Sequence, residues 1–171
     1  MTLPPVADRL VSVLAPQSGE RCLDVGCGSG AVSRLLAQRV GQQGDVLGID
    51  GSADLVRTAK ADVAGARFEV GDTVAPGPAD AGWDVIASGA ALSSMADPVA
   101  ALAAWRSRLR RRGRLGVATS GPTHETQTAV GSVEELFRAA GFIEVRTECT
   151  TIAGADDAPL DVRVTTGRQR L

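Results

Sequence analysis

Short apolar runs alternate along the chain with longer segments of helical period. The runs are rich in Val, Ile and Leu, each ends at Gly, Asp or Ser, and they lie at residues 20–25, 45–49, 66–70, 83–87 and 113–118. Apolar residues recur every three or four positions in three segments between them, 31–40, 53–63 and 98–109. Near-continuous apolar strands joined by helices are typical of a parallel sheet covered on both faces. The pattern therefore predicts an α/β domain.

The remaining segments predict further elements. We expect an opening helix over residues 4–14, with its two prolines in the first turn, and a helix over 132–140 that begins at a capping box. The strand-like runs 142–152 and 160–166 are separated by turn formers and no helix, so we expect them to pair antiparallel. Residues 72–82 are rich in Pro and Gly, which predicts a loop where a crossover helix would otherwise lie.

The composition narrows the classes of function. The 171 residues are 44% apolar and 22% charged, which suits one globular domain spanning residues 1–171. The 18 basic residues nearly balance the 20 acidic ones, so the net charge of −2 gives no general attraction to nucleic acid or anionic lipid. No apolar run reaches the roughly 20 residues that span a bilayer, and the first residues lack the features of a signal peptide. We therefore expect a cytoplasmic protein.

Two residue classes that often carry function are interpreted as structural. Cys22, Cys27 and Cys149 lack the spacing of a metal site or a disulfide framework, so we expect reduced thiols and no metal. The six arginines in residues 106–114 follow a predicted helix, where cations complement the helix dipole. This run therefore predicts a solvated turn and not a nucleic-acid surface.

The clearest local signal is a glycine-rich turn between the first strand and the next helix. The sequence LDVGCGSG places Gly26, Gly28 and Gly30 directly after the apolar run, where glycine permits a tight turn and close approach of the backbone to a ligand. Asp50 ends the second strand, 24 residues after Gly26. A carboxylate at that place in a doubly wound sheet accepts hydrogen bonds from ribose hydroxyls. The pair of signals indicates a nucleoside ligand.

The acid before the glycines bears on which nucleoside is bound. The third glycine comes one residue early for a dinucleotide fingerprint, but Ala31 is allowed at the fingerprint's last position, so the spacing alone leaves NAD open. A buried carboxylate at Asp24 would repel a pyrophosphate and would favour a cationic ligand. Asp24 thus favours a positively charged nucleoside.

This set of residues resembles class I S-adenosylmethionine-dependent methyltransferases, and among them the small-molecule, ubiquinone-biosynthesis-like branch. The resemblance covers roughly residues 8–167 and includes the acid and three glycines of the first motif. It implies a Rossmann-like, seven-stranded, mostly parallel sheet with helices on both faces and an antiparallel final strand beside the fifth. It also implies S-adenosylmethionine as the cofactor and a small-molecule acceptor.

The resemblance assigns residues to each part of the cofactor. Asp50 would hold the ribose, Asp72 and Thr73 would meet the adenine, and Ser88 and Gly89 would lie beside the methionine part. The full cofactor set is Asp24, Gly26, Gly28, Gly30, Asp50, Gly51, Ser52, Asp72, Thr73, Ser88 and Gly89. His124, the only histidine, follows the fifth strand and is the candidate catalytic base, with Glu125 beside it.

The chain also departs from the family pattern. Only Gly113 remains of the usual turn before the fifth strand, and Ser93 and Ser94 stand where close relatives often have paired histidines. Residues 120–132 are too few for the usual substrate lid, so we expect the acceptor side to be open, covered by the N-terminal helix, or covered by a second copy in a homodimer. We predict methyl transfer to an O, N or C nucleophile. The alternatives are a non-methylating, cyclase-type enzyme and a non-catalytic partner subunit.

Overall fold

The computed structural model describes residues 4–77, 82–121, 132–153 and 159–170. Within these ranges the elements follow one another as α1 (Pro4–Leu14), β1 (Arg21–Val25), α2 (Ala31–Val40), β2 (Asp45–Asp50), α3 (Ala53–Asp62), β3 (Arg67–Val70), β4 (Trp83–Ser88), a 3₁₀ turn (Ala91–Ser94), α4 (Pro98–Ser107), β5 (Leu109–Gly121), α5 (Val133–Ala139), β6 (Ile143–Ala153) and β7 (Pro159–Arg168).

The strands form one seven-stranded sheet in the order β3-β2-β1-β4-β5-β7-β6. Strand β7 is antiparallel to both of its neighbours, and the other strands run parallel. This arrangement confirms the predicted Rossmann-like sheet with an antiparallel final strand beside the fifth. The chain leaves β1 toward β2 and β3 and then returns to β4 on the other side of β1. In open α/β sheets, ligands bind at the carboxyl ends of the strands at such a switch point.

A buried apolar layer lies on each face of the sheet. One layer joins α4 and α5 to the strands through residues such as Trp105 and Phe137, and the other joins α1 and α2 through Leu10 and Leu36. Helix α1 buries Leu10 and Leu14 almost completely against the sheet. It is therefore a core element, and the suggestion that it folds over the ligand crevice as a movable cover is not compatible with this packing.

The strand and helix boundaries near residue 109 differ from the prediction. Helix α4 ends at Ser107, and β5 begins at Leu109 instead of residue 113. The pairing between β4 and β5 shifts register there, because Leu109 lies opposite Trp83 whereas Arg114 lies opposite Val85. The extra residues of β5 accommodate a charge pair between Arg110 and the buried Asp84.

Three of the six arginines of residues 106–114 are half-buried and engaged within the fold, so the predicted solvated turn is wrong for Arg106, Arg108 and Arg114, whereas residues 110–112 are exposed. Arg106 donates to the Ala140 carbonyl and Arg108 to the Pro76 carbonyl. Arg114 donates to the carbonyls of Leu14 and Ala15 and pairs with Glu20 at 2.8 Å. A planar guanidinium carries five donors and suits several carbonyls at once. The run therefore ties separate loops to α4 and β5.

Candidate cofactor site

A cavity of about 290 Å³ opens at the carboxyl ends of β1, β2 and β4, where the topology predicts a ligand site. Its walls come from the glycine turn, the turn after β2, the first turn of α3, the loop after β3 and the 3₁₀ turn after β4. Five of the predicted cofactor residues line it: Gly26, Gly28, Asp50, Gly51 and Thr73. The volume approaches the roughly 300 Å³ at which small-molecule sites begin.

The three glycines of the turn are required for different reasons. All three have positive φ, a region in which glycine is unstrained. A Cβ at Gly30 would lie 2.8 Å from Val63 Cγ2, so that glycine permits helix packing, and a Cβ at Gly26 would lie 2.5 Å from Ala91 Cβ in the 3₁₀ turn. A Cβ at Gly28 would meet no atom within 4 Å. Gly28 is thus the position at which the backbone faces open space in the cavity wall.

Asp50 is fixed in the wall by two backbone amides. Its Oδ2 accepts from the Gly28 N–H at 2.9 Å, and its Oδ1 accepts from the Ser52 N–H at 2.9 Å. An ionised carboxylate has about four acceptor sites, so each oxygen can accept one more hydrogen bond. The side chain is half-buried, which leaves it accessible from the cavity. The arrangement suits two adjacent hydroxyl donors, as in a ribose diol.

Asp24 lies buried behind this wall and does not line the cavity. Its Oδ2 accepts a 2.6 Å hydrogen bond from the Ser33 hydroxyl, while its Oδ1 has no hydrogen-bond partner among the described residues. Burial raises the pKa of Asp24 to about 7, and the bond from Ser33 opposes that rise.

Ser88, at the end of the neighbouring strand, is also buried without a partner for its hydroxyl within the described structure. Asp24 lies opposite Ala87 in the β1–β4 pairing, one residue before Ser88. Buried polar atoms are normally hydrogen-bonded, so two unsatisfied ones at adjacent strand ends indicate a missing ligand group. Because Ser88 comes one residue after the partner of Asp24, the two side chains leave the sheet on opposite faces. An ammonium at the strand ends, which only donates, would suit either oxygen.

Other predicted residues have local structural contacts and do not line the cavity. The Ser52 hydroxyl caps α3 by accepting from the Leu55 N–H, and Asp72 is exposed and accepts from the Val74 N–H within its own turn. Gly89 is buried after β4. His124 and Glu125 lie outside the described residues, so their candidate roles remain predictions.

The 3₁₀ turn after β4 supplies wall residues that the sequence analysis did not assign to the cofactor. Ala90, Ala91 and Ser94 line the cavity, together with Leu55 of α3. The position of the run GAALSSM could have predicted this, because a segment that directly follows β4 lies at the switch point of the sheet. Cys27 also lines the cavity, and burial raises the pKa of its thiol, so it is a neutral wall atom and not a nucleophile.

The described residues offer neither a metal cluster nor a membrane-spanning helix. The described residues contain no cluster of three or more His, Cys, Asp or Glu side chains that could hold a metal ion. None of the helices in the described ranges has the length and apolarity needed to cross a bilayer.

The geometry fits S-adenosylmethionine on three observations. Asp50 presents free acceptor capacity for a diol, Gly28 allows close approach of a nucleoside, and the unsatisfied oxygen of Asp24 or of Ser88 suits an ammonium. A buried carboxylate beside the glycine turn also favours a cation over a pyrophosphate. The residues therefore fit this cofactor better than a dinucleotide.

Comparison with known proteins points to the same cofactor. A family profile described as "Methyltransferase domain" matches residues 16–159. The nocamycin O-methyltransferase of Saccharothrix syringae is 30% identical over 184 aligned positions, which cover 83% of this chain and 66% of that protein. The aklanonic acid methyltransferase of a Streptomyces species is 34% identical over 116 positions, which cover 65% of this chain and 53% of that protein.

A solved structure agrees with these matches. The TehB-like, S-adenosylmethionine-dependent methyltransferase from Corynebacterium glutamicum superposes with a TM-score of 0.67 at 26% identity, over 96% of this chain and 88% of that one. The chain spans less than two thirds of the length of the two curated relatives described above. Because the family profile covers most of the chain and the strand order and site geometry agree with it, this chain belongs to the methyltransferase-domain family, whose cofactor is S-adenosylmethionine.

Proposed function

We propose that this chain binds S-adenosylmethionine in the cavity at the switch point and transfers its methyl group to an oxygen of a small-molecule acceptor. The observation that carries the proposal is the Asp50 carboxylate, which two backbone amides hold at the cavity wall with acceptor capacity to spare. The similarity to an O-methyltransferase of nocamycin supports oxygen as the attacking atom.

Each part of the wall has a separate task in this proposal. Asp50 would accept hydrogen bonds from the ribose hydroxyls, and Gly28 would let the backbone approach the nucleoside. Asp24 or Ser88 would accept from the amino group at the strand ends, which would satisfy a buried oxygen. Asp72 and Thr73, in the loop after β3, would meet the adenine.

The chemistry asks the protein mainly for placement. The cofactor supplies an electrophilic methyl group on a positively charged sulfur. The protein then has to hold the acceptor oxygen in line with that methyl group and to limit access of water. Asp50 is the only carboxylate on the described wall, and two amides already engage it. An acidic acceptor, such as a carboxylic acid or an enol, would need no base from that wall, and His124 is the candidate base for a less acidic one.

The proposal also covers the acceptor side of the cavity, because the connection between β5 and α5 is too short for the usual substrate lid. Because α1 is packed into the core, two of the three predicted alternatives are left. Either a second copy of the chain covers the acceptor side, or that side is open. We also propose a cytoplasmic location and an acceptor other than nucleic acid. The net charge of −2 supports the second point, because it gives no general attraction to a polyanion.

Two measurements on the full chain test the proposal. Calorimetric titration with S-adenosylhomocysteine and, separately, with NAD should show binding of the first alone, and binding of NAD alone would refute it. Incubation with S-adenosylmethionine and a panel of phenolic, enolic and carboxylic small molecules should give products heavier by one CH₂. A product rearranged at constant mass would indicate the cyclase-type alternative. Cofactor binding without turnover of any panel member would favour the partner-subunit alternative.

A further inference from the structure

The segment that follows β3 lacks regular secondary structure, although it forms one wall of the cofactor cavity. Residues 71–77 follow β3 as a loop in place of a crossover helix, and Thr73 within them lines the cavity. The Gly71 N–H donates to the Asp50 carbonyl at 3.0 Å, which fixes only the start of the loop on β2. The rest of the loop needs contacts from elsewhere to hold one conformation.

Helix α4 supplies the first of those contacts through Trp105. The side chain is fully buried, and its indole Nε1–H donates to the Thr73 carbonyl at 2.8 Å, across 32 residues of sequence. A buried indole N–H normally finds an acceptor. Here the acceptor is the backbone of the residue that lines the cavity, so the bond sets the orientation of that peptide.

Arg108, which directly follows α4, supplies the second contact. Its Nε donates to the Pro76 carbonyl at 2.7 Å, while its Nη1 donates to the Ala104 carbonyl at 2.7 Å. One guanidinium thus joins the loop to the last turn of α4. The two bonds hold the loop on either side of Val74, at residues 73 and 76.

The sheet order shows which part of the ligand this loop meets. Asp50 ends β2, while Gly26 and Ser88 lie at the ends of β1 and β4 on one side of it, and β3 lies on the other. With the ribose on Asp50 and the amino group beside β1 and β4, the nucleobase extends toward β3. The loop at residues 71–77 is the wall on that side.

We infer that Trp105 and Arg108 are positioning residues for nucleobase recognition, because they fix the loop that meets the base without touching the ligand themselves. The inference rests on the proposed cofactor site. It adds that selectivity for adenine depends on α4, an element that does not line the cavity. Loss of either bond should relax that selectivity more than it destabilises the fold.

The chain offers a matched control for Trp105. Trp83 is equally buried in the same apolar layer, but its Nε1–H has no hydrogen-bond partner in the described ranges. Trp105→Phe and Trp83→Phe therefore remove the same atoms from one core, and only the first removes a bond to the loop. Arg108→Lys and Arg111→Lys form a second pair, because the Arg111 side chain is exposed and makes no hydrogen bond or ion pair with a described residue.

The test is the affinity ratio between S-adenosylhomocysteine and S-inosylhomocysteine, whose base carries a carbonyl in place of the amino group, measured by calorimetry. Wild-type protein should prefer the adenosyl ligand. Trp105→Phe should reduce that preference roughly three- to tenfold, as expected for one hydrogen bond, and Arg108→Lys should change it in the same direction. Both control variants should keep the wild-type ratio, and thermal unfolding should show that all four variants are folded at the temperature of the titration.

The outcomes separate this inference from the proposed function. A wild-type protein that binds neither ligand would overturn both. A wild-type protein that binds both equally, or a folded Trp105→Phe and Arg108→Lys pair with the wild-type ratio, would overturn the inference alone. If Trp105→Phe does not fold, the Arg108→Lys ratio decides.

Discussion

Replacement of Asp50 by alanine tests the part of the site on which the function depends most. The carboxylate accepts hydrogen bonds from the Gly28 and Ser52 amides at 2.9 Å each, and it has room for two more from a ribose diol. Alanine removes all of these acceptors. The diol then loses its partner, and the Gly28 amide loses the bond that holds the glycine turn against the wall.

The magnitude follows from the kind of bond that is lost. Hydrogen bonds to a charged group contribute roughly 1.5–3 kcal/mol, which corresponds to about a 10- to 150-fold change in a dissociation constant. Asp50→Asn should fall between wild type and alanine. The amide keeps one acceptor oxygen, but its NH₂ group must face the N–H of Gly28 or Ser52, and two donors do not pair.

Calorimetric titration with S-adenosylhomocysteine measures the effect, and thermal unfolding shows whether the fold persists. Asp54→Ala is the matched control, because that carboxylate is exposed and its ion pair is with Arg57 on the same helix. The control should bind like wild type. A folded Asp50→Ala protein with a dissociation constant within about twofold of wild type would refute the assignment of Asp50 to the ribose.

Three further substitutions test other parts of the account. Gly28→Val should abolish measurable binding of S-adenosylhomocysteine in a folded protein, because the side chain would occupy the cavity and strain a residue with φ of 54° by about 1–2 kcal/mol; retained affinity would mean that the ligand lies elsewhere. Asp24 binds its proton more tightly when folded, with a pKa of about 7 against 3.8, so stability should fall as pH rises from about 4 to 7, and Asp24→Asn should flatten that slope in urea titrations; an unchanged slope would contradict the burial argument. Arg114→Met should cost about 1.5–3 kcal/mol of unfolding free energy because it removes the ion-pair partner of the half-buried Glu20, whereas exposed Arg111→Met should cost under about 0.5 kcal/mol, and equal losses would count against the pairing.

The sequence predicted the elements whose signals are local. The capping box at Ser132 and Glu135 is present in the structure, with both reciprocal bonds, because its two hydrogen bonds depend on residues three positions apart. Apolar runs such as residues 45–49 became buried parallel strands for the same reason. The antiparallel pairing of β6 and β7 was predictable because the residues between them are turn formers with no helical pattern in the sequence.

The features that the sequence did not predict depend on partners distant along the chain. The early start of β5 depends on Arg110 pairing with Asp84, and Arg114 is held by Glu20 and the end of α1. Charge patterns alone do not reveal such partners, and the sequence of the arginine run therefore predicts a solvated turn. Likewise, the glycine spacing did not show that Gly30 permits packing against Val63 whereas Gly28 faces the cavity.

A crystal structure of the full chain with S-adenosylhomocysteine tests the central claim most directly. The account predicts the ribose hydroxyls within hydrogen-bonding distance of the Asp50 carboxylate, the amino group beside the unsatisfied oxygen of Asp24 or of Ser88, and the adenine against the loop at Thr73. A ligand bound away from Asp50 and the glycine turn would contradict it.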